Sequence, residues 1–197
     1  CRSDDKVLYL FYESDGWNVD ANANRETLNK VIGRAVTKFS FPRQGRNPHR
    51  ALSDFYRHDR HDVIALTCVS AGAKFSAYEK ELYDAGKYLE YNMVHGLSVE
   101  LAEALAEVVH KQIRLDLNIA SEDEGHTLRD VRMNRYQGAR YSFGYPACPD
   151  LEQSRELFDM LKPEEFGIEL SETFQIVPEQ STTALVVHHK GATYYSL

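Results

Sequence analysis

The run Val63-Ile64-Ala65-Leu66-Thr67-Cys68-Val69-Ser70 decides how the rest of the chain is read. Its β-branched and apolar residues predict a buried strand, ended by Ala71-Gly72. The periodicity then changes. Phe75, Tyr78, Leu82 and Tyr83 recur at three and four residues, the spacing of an amphipathic helix. A second, longer helix is expected from about residue 87 to about 118, with Val94, Leu97, Leu101, Leu105, Val108 and Val109 as its apolar stripe. Upstream, residues 7–12 read as a strand, Asp15-Gly16 as a turn, and 39–41 as a short strand stopped by Pro42. Residues 25–38 admit either a helix or a strand with a loop. Residues 43–50 form a loop, 51–57 a helical turn and 58–62 a charged turn. Downstream, 121–126 is a polar connection and 127–133 a short helix. Residues 136–149 are irregular. A helix follows over 151–161, with Asp150 as its cap. Strands are expected at 174–177 and 184–187, and 193–197 is a final strand or an ordered tail. There is no internal repeat, no long linker and no regular βαβαβ alternation. Residues 1–197 therefore read as a single α+β domain, a largely antiparallel sheet with packed helices.

Composition narrows the function. The apolar share is 43% and the charged share 27%, which excludes a disordered chain. Thirty acidic against 23 basic residues leave a net charge of −7, which argues against nucleic acid or an anionic membrane as partner. No apolar run approaches the ~20 residues that span a bilayer. Cys1, Cys68 and Cys148 are odd in number and form no CxxC pair, so a reducing cytoplasm fits better than a secreted disulfide framework. The chain starts on Cys1 with no signal-peptide pattern, which reads as a cut through a longer polypeptide.

The common catalytic motifs are missing: no GxGxxG after a strand, no Walker loop, no GxSxG and no HExxH. This counts against a Rossmann-type methyltransferase or dehydrogenase. His58-Asp59-Arg60-His61-Asp62 contains metal-ligand types but reads better as a solvated turn. On a strand, His188 and His189 would point to opposite faces. Glu103 shares a small-residue helix face with Gly96, Val99, Ala106 and His110; the residues alone favour a solvated face. The sharpest stretch is Arg140-Tyr141-Ser142-Phe143-Gly144-Tyr145-Pro146-Ala147-Cys148-Pro149-Asp150. Its glycine and prolines fix an irregular backbone whose polar groups need partners, supplied by a polar ligand or by a turn against the domain's own surface. Cys148 has no base in sequence to activate it.

Gly144-Tyr145-Pro146-Ala147-Cys148-Pro149, four residues after Arg140, resembles the signature of the activation domain of cobalamin-dependent methionine synthase. Tyr136-Gln137-Gly138-Ala139-Arg140 is similar to that family's lead-in. So are the segments 95–107, Phe41-Pro42-Arg43-Gln44, Leu170-Ser171-Glu172-Thr173-Phe174 and the closing Tyr194-Tyr195. The similarity runs from about residue 7 to 197 in the family's order.

The resemblance implies a curved domain around an antiparallel sheet. It also implies that the chain binds S-adenosylmethionine and presents its methyl group for reductive remethylation of cob(II)alamin, in methionine biosynthesis. Cobalamin would sit on a neighbouring domain and zinc only on a distant domain of the full enzyme. A flavodoxin-type partner would supply the electron. Carried over residue by residue, Arg140 is the group that grips the ligand's amino-acid end. Gly144, Tyr145 and Ala147 line the ligand, Tyr194 and Tyr195 are its paired tyrosines, and Glu103 becomes a carboxylate near it. No residue is assigned a catalytic or metal-binding role. Two features depart from the family: its upstream acidic contact is absent here, and Arg140-Tyr141-Ser142-Phe143 replaces Arg-Pro-Ala-Pro. No DxHxxG pattern for cobalamin and no thiolate cluster for zinc occurs, so the chain is not expected to be the complete methyltransferase. The alternative is a docking or scaffold domain of the same fold that no longer binds the ligand.

Overall fold

In a computed structural model, residues 6–19, 25–32, 35–57, 62–120 and 125–197 are described. Strands β1 (Lys6–Val19), β2 (Arg25–Ile32), β3 (Ala35–Pro42), β4 (Asp62–Ser70) and β5 (Ala139–Tyr141) precede a small hairpin of β6 (Glu169–Leu170) and β7 (Ile176–Val177), and β8 (Ser181–Val187) follows. Among the described residues, one six-stranded sheet has the order β3-β2-β1-β4-β8-β5, with every pairing antiparallel. The described α-helices are α1 (Ala73–Asp84), α2 (Tyr88–Asp116), α3 (Leu128–Arg132) and α4 (Ser154–Leu161). None of them is long and apolar enough to cross a membrane.

Side-chain alternation along β4 sets the layers. Ile64, Leu66 and Cys68 enter a core with Phe39 and Phe41 of β3 and with Leu157, Phe158 and Leu161 of α4. Ala65 and Val69 point the other way, to Ala106, Val109 and Ile113 of α2. Both faces of β4 are covered, which explains why its sequence lacks polar alternation. A buried polar cluster ties the helical hairpin to the sheet. Glu79 of α1 accepts hydrogen bonds from Ser98 Oγ of α2 at 2.8 Å and from Gln180 Nε2, just before β8, at 2.7 Å.

Several expectations change. Asp15-Gly16 is not a turn: it lies inside β1, where the pairing with β2 slips between Ser14 and Trp17, so the pair is absorbed by a bulge. The ambiguous 25–38 stretch becomes β2 and most of β3. The apolar stripe read for α2 is its buried face only in part: Val109 is buried and Leu105 packs against the core. Leu97 and Val108 are 63% and 65% exposed, whereas Ser98, Ala102, Ala106, Val109 and Ile113 are buried, Ser98 against Glu79 of α1 and the last three against β4 and β8. Small residues there let the helix backbone approach the strands, and the larger ones are displaced to the flanks. The 136–149 stretch contains β5, which adds one short strand to the sheet edge. The strand expected at 174–177 shrinks to β7, because Phe174 sits at φ 62°. The helix at 151–161 stands, its first turn a 3-10 turn over Leu151–Gln153 capped by the Asp150 side chain on Glu152 N–H. Residues 193–197 form a tail outside the strands. His58-Asp59-Arg60-His61 lies outside the described residues.

Candidate functional site

A cavity of about 360 Å³ opens between α2, the sheet and the segments after β5 and β8. Its floor is Thr67 of β4 and Thr182 and Ala184 of β8. Glu103 and Ala106 of α2 form one wall, and Arg140, Ser142, Tyr145 and Tyr194 the other. The floor follows from register. Ala65 pairs with Val186 and Thr67 with Ala184. Val186 packs on α2, whereas one step along the strand the side chains shrink and leave space. At the low end of the ~300–1,000 Å³ range of small-molecule pockets, such a space suits a single ligand.

Arg140 reaches this cavity from β5, the outermost strand. It is not a loose surface cation. Its Nη2 donates to Glu107 Oε1 at 2.6 Å, and Nη1 lies 3.3 Å from His110 Nδ1. Burial works against the guanidinium, but the hydrogen bond and attraction to Glu107 outweigh it and raise its pKa above the ordinary arginine value. The Tyr136 hydroxyl stands beside the same carboxylate, 3.0 and 3.2 Å from its two oxygens, and 2.9 Å from Asn134 Oδ1. Burial and then the negative Glu107 push the Tyr136 phenol up to about 12. His110 is 1% exposed, and burial, followed by the charges of Arg140 and Arg114, lowers its pKa to about 2. The ring is therefore neutral. With a guanidinium at Nδ1, that nitrogen accepts, so Nε2 carries the proton. Nε2 is buried without a hydrogen-bond partner. A Cβ on Gly138 (φ +93°) would come within 3.4 Å of that nitrogen and 2.7 Å of Val187 O, so a side chain there does not fit.

The loop after β5 satisfies part of its own backbone. Gly144 N–H donates to Cys148 O and Cys148 N–H to Tyr145 O, closing a tight turn. Gly144 holds φ +87° at its entry, a conformation that favours glycine. The turn buries Ala147 and Cys148 in the core and leaves Tyr145 57% exposed at the cavity. The Cys148 thiol donates to Ser142 O at 2.9 Å, and burial pushes its pKa up to about 12. Tyr194, 54% exposed, stacks on buried Tyr141 with ring planes 9° apart.

Of the residues singled out from sequence, Glu103, Arg140, Tyr145 and Tyr194 meet at one cavity. Gly144 and Ala147 shape the turn that presents Tyr145. Tyr195 is 8% exposed and packs against Tyr141 in the core. Sequence reasoning missed Glu107 and Tyr136. Glu107 lies four residues from Glu103, on the same side of the helix, but its pairing with a strand far along the chain leaves no local trace. His188 and His189 follow β8 and lie away from this cavity. His188 Nε2 meets Asp62 Oδ1 at 2.8 Å, and His189 packs on Phe55.

Comparison with known proteins adds an independent line. A family model described as "Vitamin B12 dependent methionine synthase, activation domain" matches residues 8–197. Methionine synthases of Mycobacterium leprae and Mycobacterium tuberculosis are 38% and 37% identical over 172 residues, covering 81% of this chain. The chain spans 14% of the length of each. A solved structure, the MetH reactivation domain bound to AdoHcy, is similar in fold, with a TM-score of 0.83 at 22% identity over 99% of this chain and 62% of that chain.

Proposed function

This chain belongs to the vitamin B12-dependent methionine synthase activation-domain family, and from that premise we propose that it binds S-adenosylmethionine and presents the methyl group for reductive remethylation of cob(II)alamin. The supporting observation is one cavity in which a guanidinium and a carboxylate, Arg140 and Glu103, stand beside two exposed tyrosine rings. An α-amino acid end carries one negative and one positive group. Arg140 suits its carboxylate through a planar donor fork, and Glu103 suits its ammonium. The Tyr145 and Tyr194 rings offer faces to a purine and to a sulfonium cation. S-adenosylmethionine supplies a methyl group on a positive sulfur whose leaving group departs as a neutral thioether, so no general acid is required. The absence of a sequence motif for acid–base or nucleophilic catalysis is consistent with this. The chain's own residues then bind and orient the ligand and leave its methyl accessible at the open mouth of the cavity. Cobalamin, held on a neighbouring domain of a full-length methyltransferase, is the acceptor. A flavodoxin-type protein supplies one electron, and methylation draws the unfavourable reduction forward by mass action.

Calorimetric titration with S-adenosylmethionine tests the reading. Arg140→Ala is expected to weaken binding by about 1.5–3 kcal/mol, the scale of a hydrogen bond to a charged group. Because Arg140 also neutralises Glu107, Arg140→Lys is measured beside it. The lysine keeps the charge but loses the fork, and should fall between Arg140→Ala and the unaltered chain. Equal affinity in all three proteins would remove Arg140 from the ligand site. No binding by the unaltered chain would leave the docking-domain alternative.

A further inference from the structure

We propose that Glu107 is a positioning residue: from α2 it holds one edge of the Arg140 guanidinium, so that the remaining N–H groups are aimed at the ligand's carboxylate in the cavity. This rests on the reading of Arg140 given above. Arg140 stands on a three-residue strand at the open edge of the sheet. Its side chain has four rotatable bonds, and fixing one rotamer on binding costs conformational entropy. Here that ordering is done before any ligand arrives. Glu107 Oε1 takes Nη2 at 2.6 Å, and His110 Nδ1 faces Nη1 at 3.3 Å. A guanidinium has five N–H donors in a rigid fork; these contacts use two and leave three.

Glu107 is itself braced. The Tyr136 hydroxyl stands 3.0 and 3.2 Å from its two oxygens and 2.9 Å from Asn134 Oδ1, so Glu107 shares this single donor with Asn134. The Tyr136 ring stands perpendicular to His110 at 5.1 Å, and the Arg114 guanidinium lies 3.9 Å from the ring centroid. The brace therefore comes from α2 and the connection before β5. Glu107 is not among the residues that line the cavity, so a ligand carboxylate does not need its place. The four residues divide the work: Glu107 and Tyr136 hold Arg140, while Arg140 and Glu103 contact the ligand.

The test is calorimetry of this chain with two probes, S-adenosylmethionine and its decarboxylated analogue, which keeps the sulfonium and amine. Glu107→Ala should weaken S-adenosylmethionine about five- to tenfold, the scale of ordering one long side chain. It should leave the decarboxylated analogue within about twofold. Glu107→Gln, whose amide oxygen still accepts from Arg140, should restore most of the loss. Tyr136→Phe, which removes the brace and no charge, should weaken only the carboxylate-bearing probe, and it carries the test if Glu107→Ala does not fold. Equal weakening of both probes, tighter S-adenosylmethionine binding in Glu107→Ala, or no rescue by glutamine would overturn the proposal. Failure of the unaltered chain to bind S-adenosylmethionine would overturn the ligand reading and this proposal with it.

Discussion

His110 shows how the site is balanced at the level of one side chain. It touches Arg140 at Nδ1, and Arg114 and Tyr136 lie close by. Burial and the two guanidinium charges keep it neutral down to about pH 2. Its ordinary value of 6.5 holds in the unfolded chain. Below pH 6.5 the unfolded chain therefore binds a proton that the folded chain refuses, and stability falls as pH falls until the folded value is reached. The contribution of this one group at pH 5 is about 2 kcal/mol lost relative to neutral pH. His110→Gln keeps an acceptor for Arg140 and removes the titration. Urea unfolding at pH 7 and pH 5 should show the unaltered chain losing about 2 kcal/mol more than the variant; equal losses would mean that His110 is charged in the fold. The same residue marks a limit of sequence reading. Its place on the Glu103 face of α2 was visible from spacing, but its role depends on Arg140, thirty residues away along the chain.

Helix α2 carries the clearest gap between pattern and packing. Hydropathy selects Leu97 and Val108, yet both face water, and Ala102 and Ala106 are buried at 3% and 4% exposure. Close approach of a helix to a sheet is a matter of size as well as polarity, and a hydropathy stripe weighs only the second. Ala102→Leu should cost about 1–3 kcal/mol through overpacking. Leu97→Ala should change stability by no more than about 0.5 kcal/mol. Denaturant titration of the two variants would reverse that order if the apolar stripe were the buried face. Elsewhere the elements were legible where their cause is local. The run 63–70 and the helices after it follow from composition and period, and the α4 start from the Asp150 cap. β5 was not legible, because its three residues form a strand only through pairing with β8. Asp15-Gly16 failed for the same reason, since turn and bulge use the same residues and only the partner strand distinguishes them.

At the scale of the whole molecule, the cavity draws on β4, α2, β5 and its loop, β8 and the terminal tail. No segment carries it alone, so the sequence could offer single contacts such as Arg140 but not the enclosure. The arrangement supplies charge, ring faces and position, and of the two free thiols near the site in sequence Cys68 points into the core from the other face of β4, which leaves Cys148 of the loop. Its environment opposes reaction. It is 1% exposed, its hydrogen is engaged by Ser142 O at 2.9 Å, and burial holds its pKa near 12. A thiol reacts as its thiolate, which at that pKa is about one part in 10⁵ at neutral pH. A methyl donor also needs its nucleophile within ~3–3.5 Å, whereas Cys148 is folded into the core behind the turn and does not line the cavity. Incubation of the chain with S-adenosylmethionine should therefore leave its mass unchanged, with methyl transfer appearing only when a cobalamin domain and a reductant are added. Intact-mass spectrometry followed by peptide mapping measures this directly. A stoichiometric gain of one methyl at Cys148 would make the chain a methyl carrier in its own right and overturn the assignment of a purely positioning role.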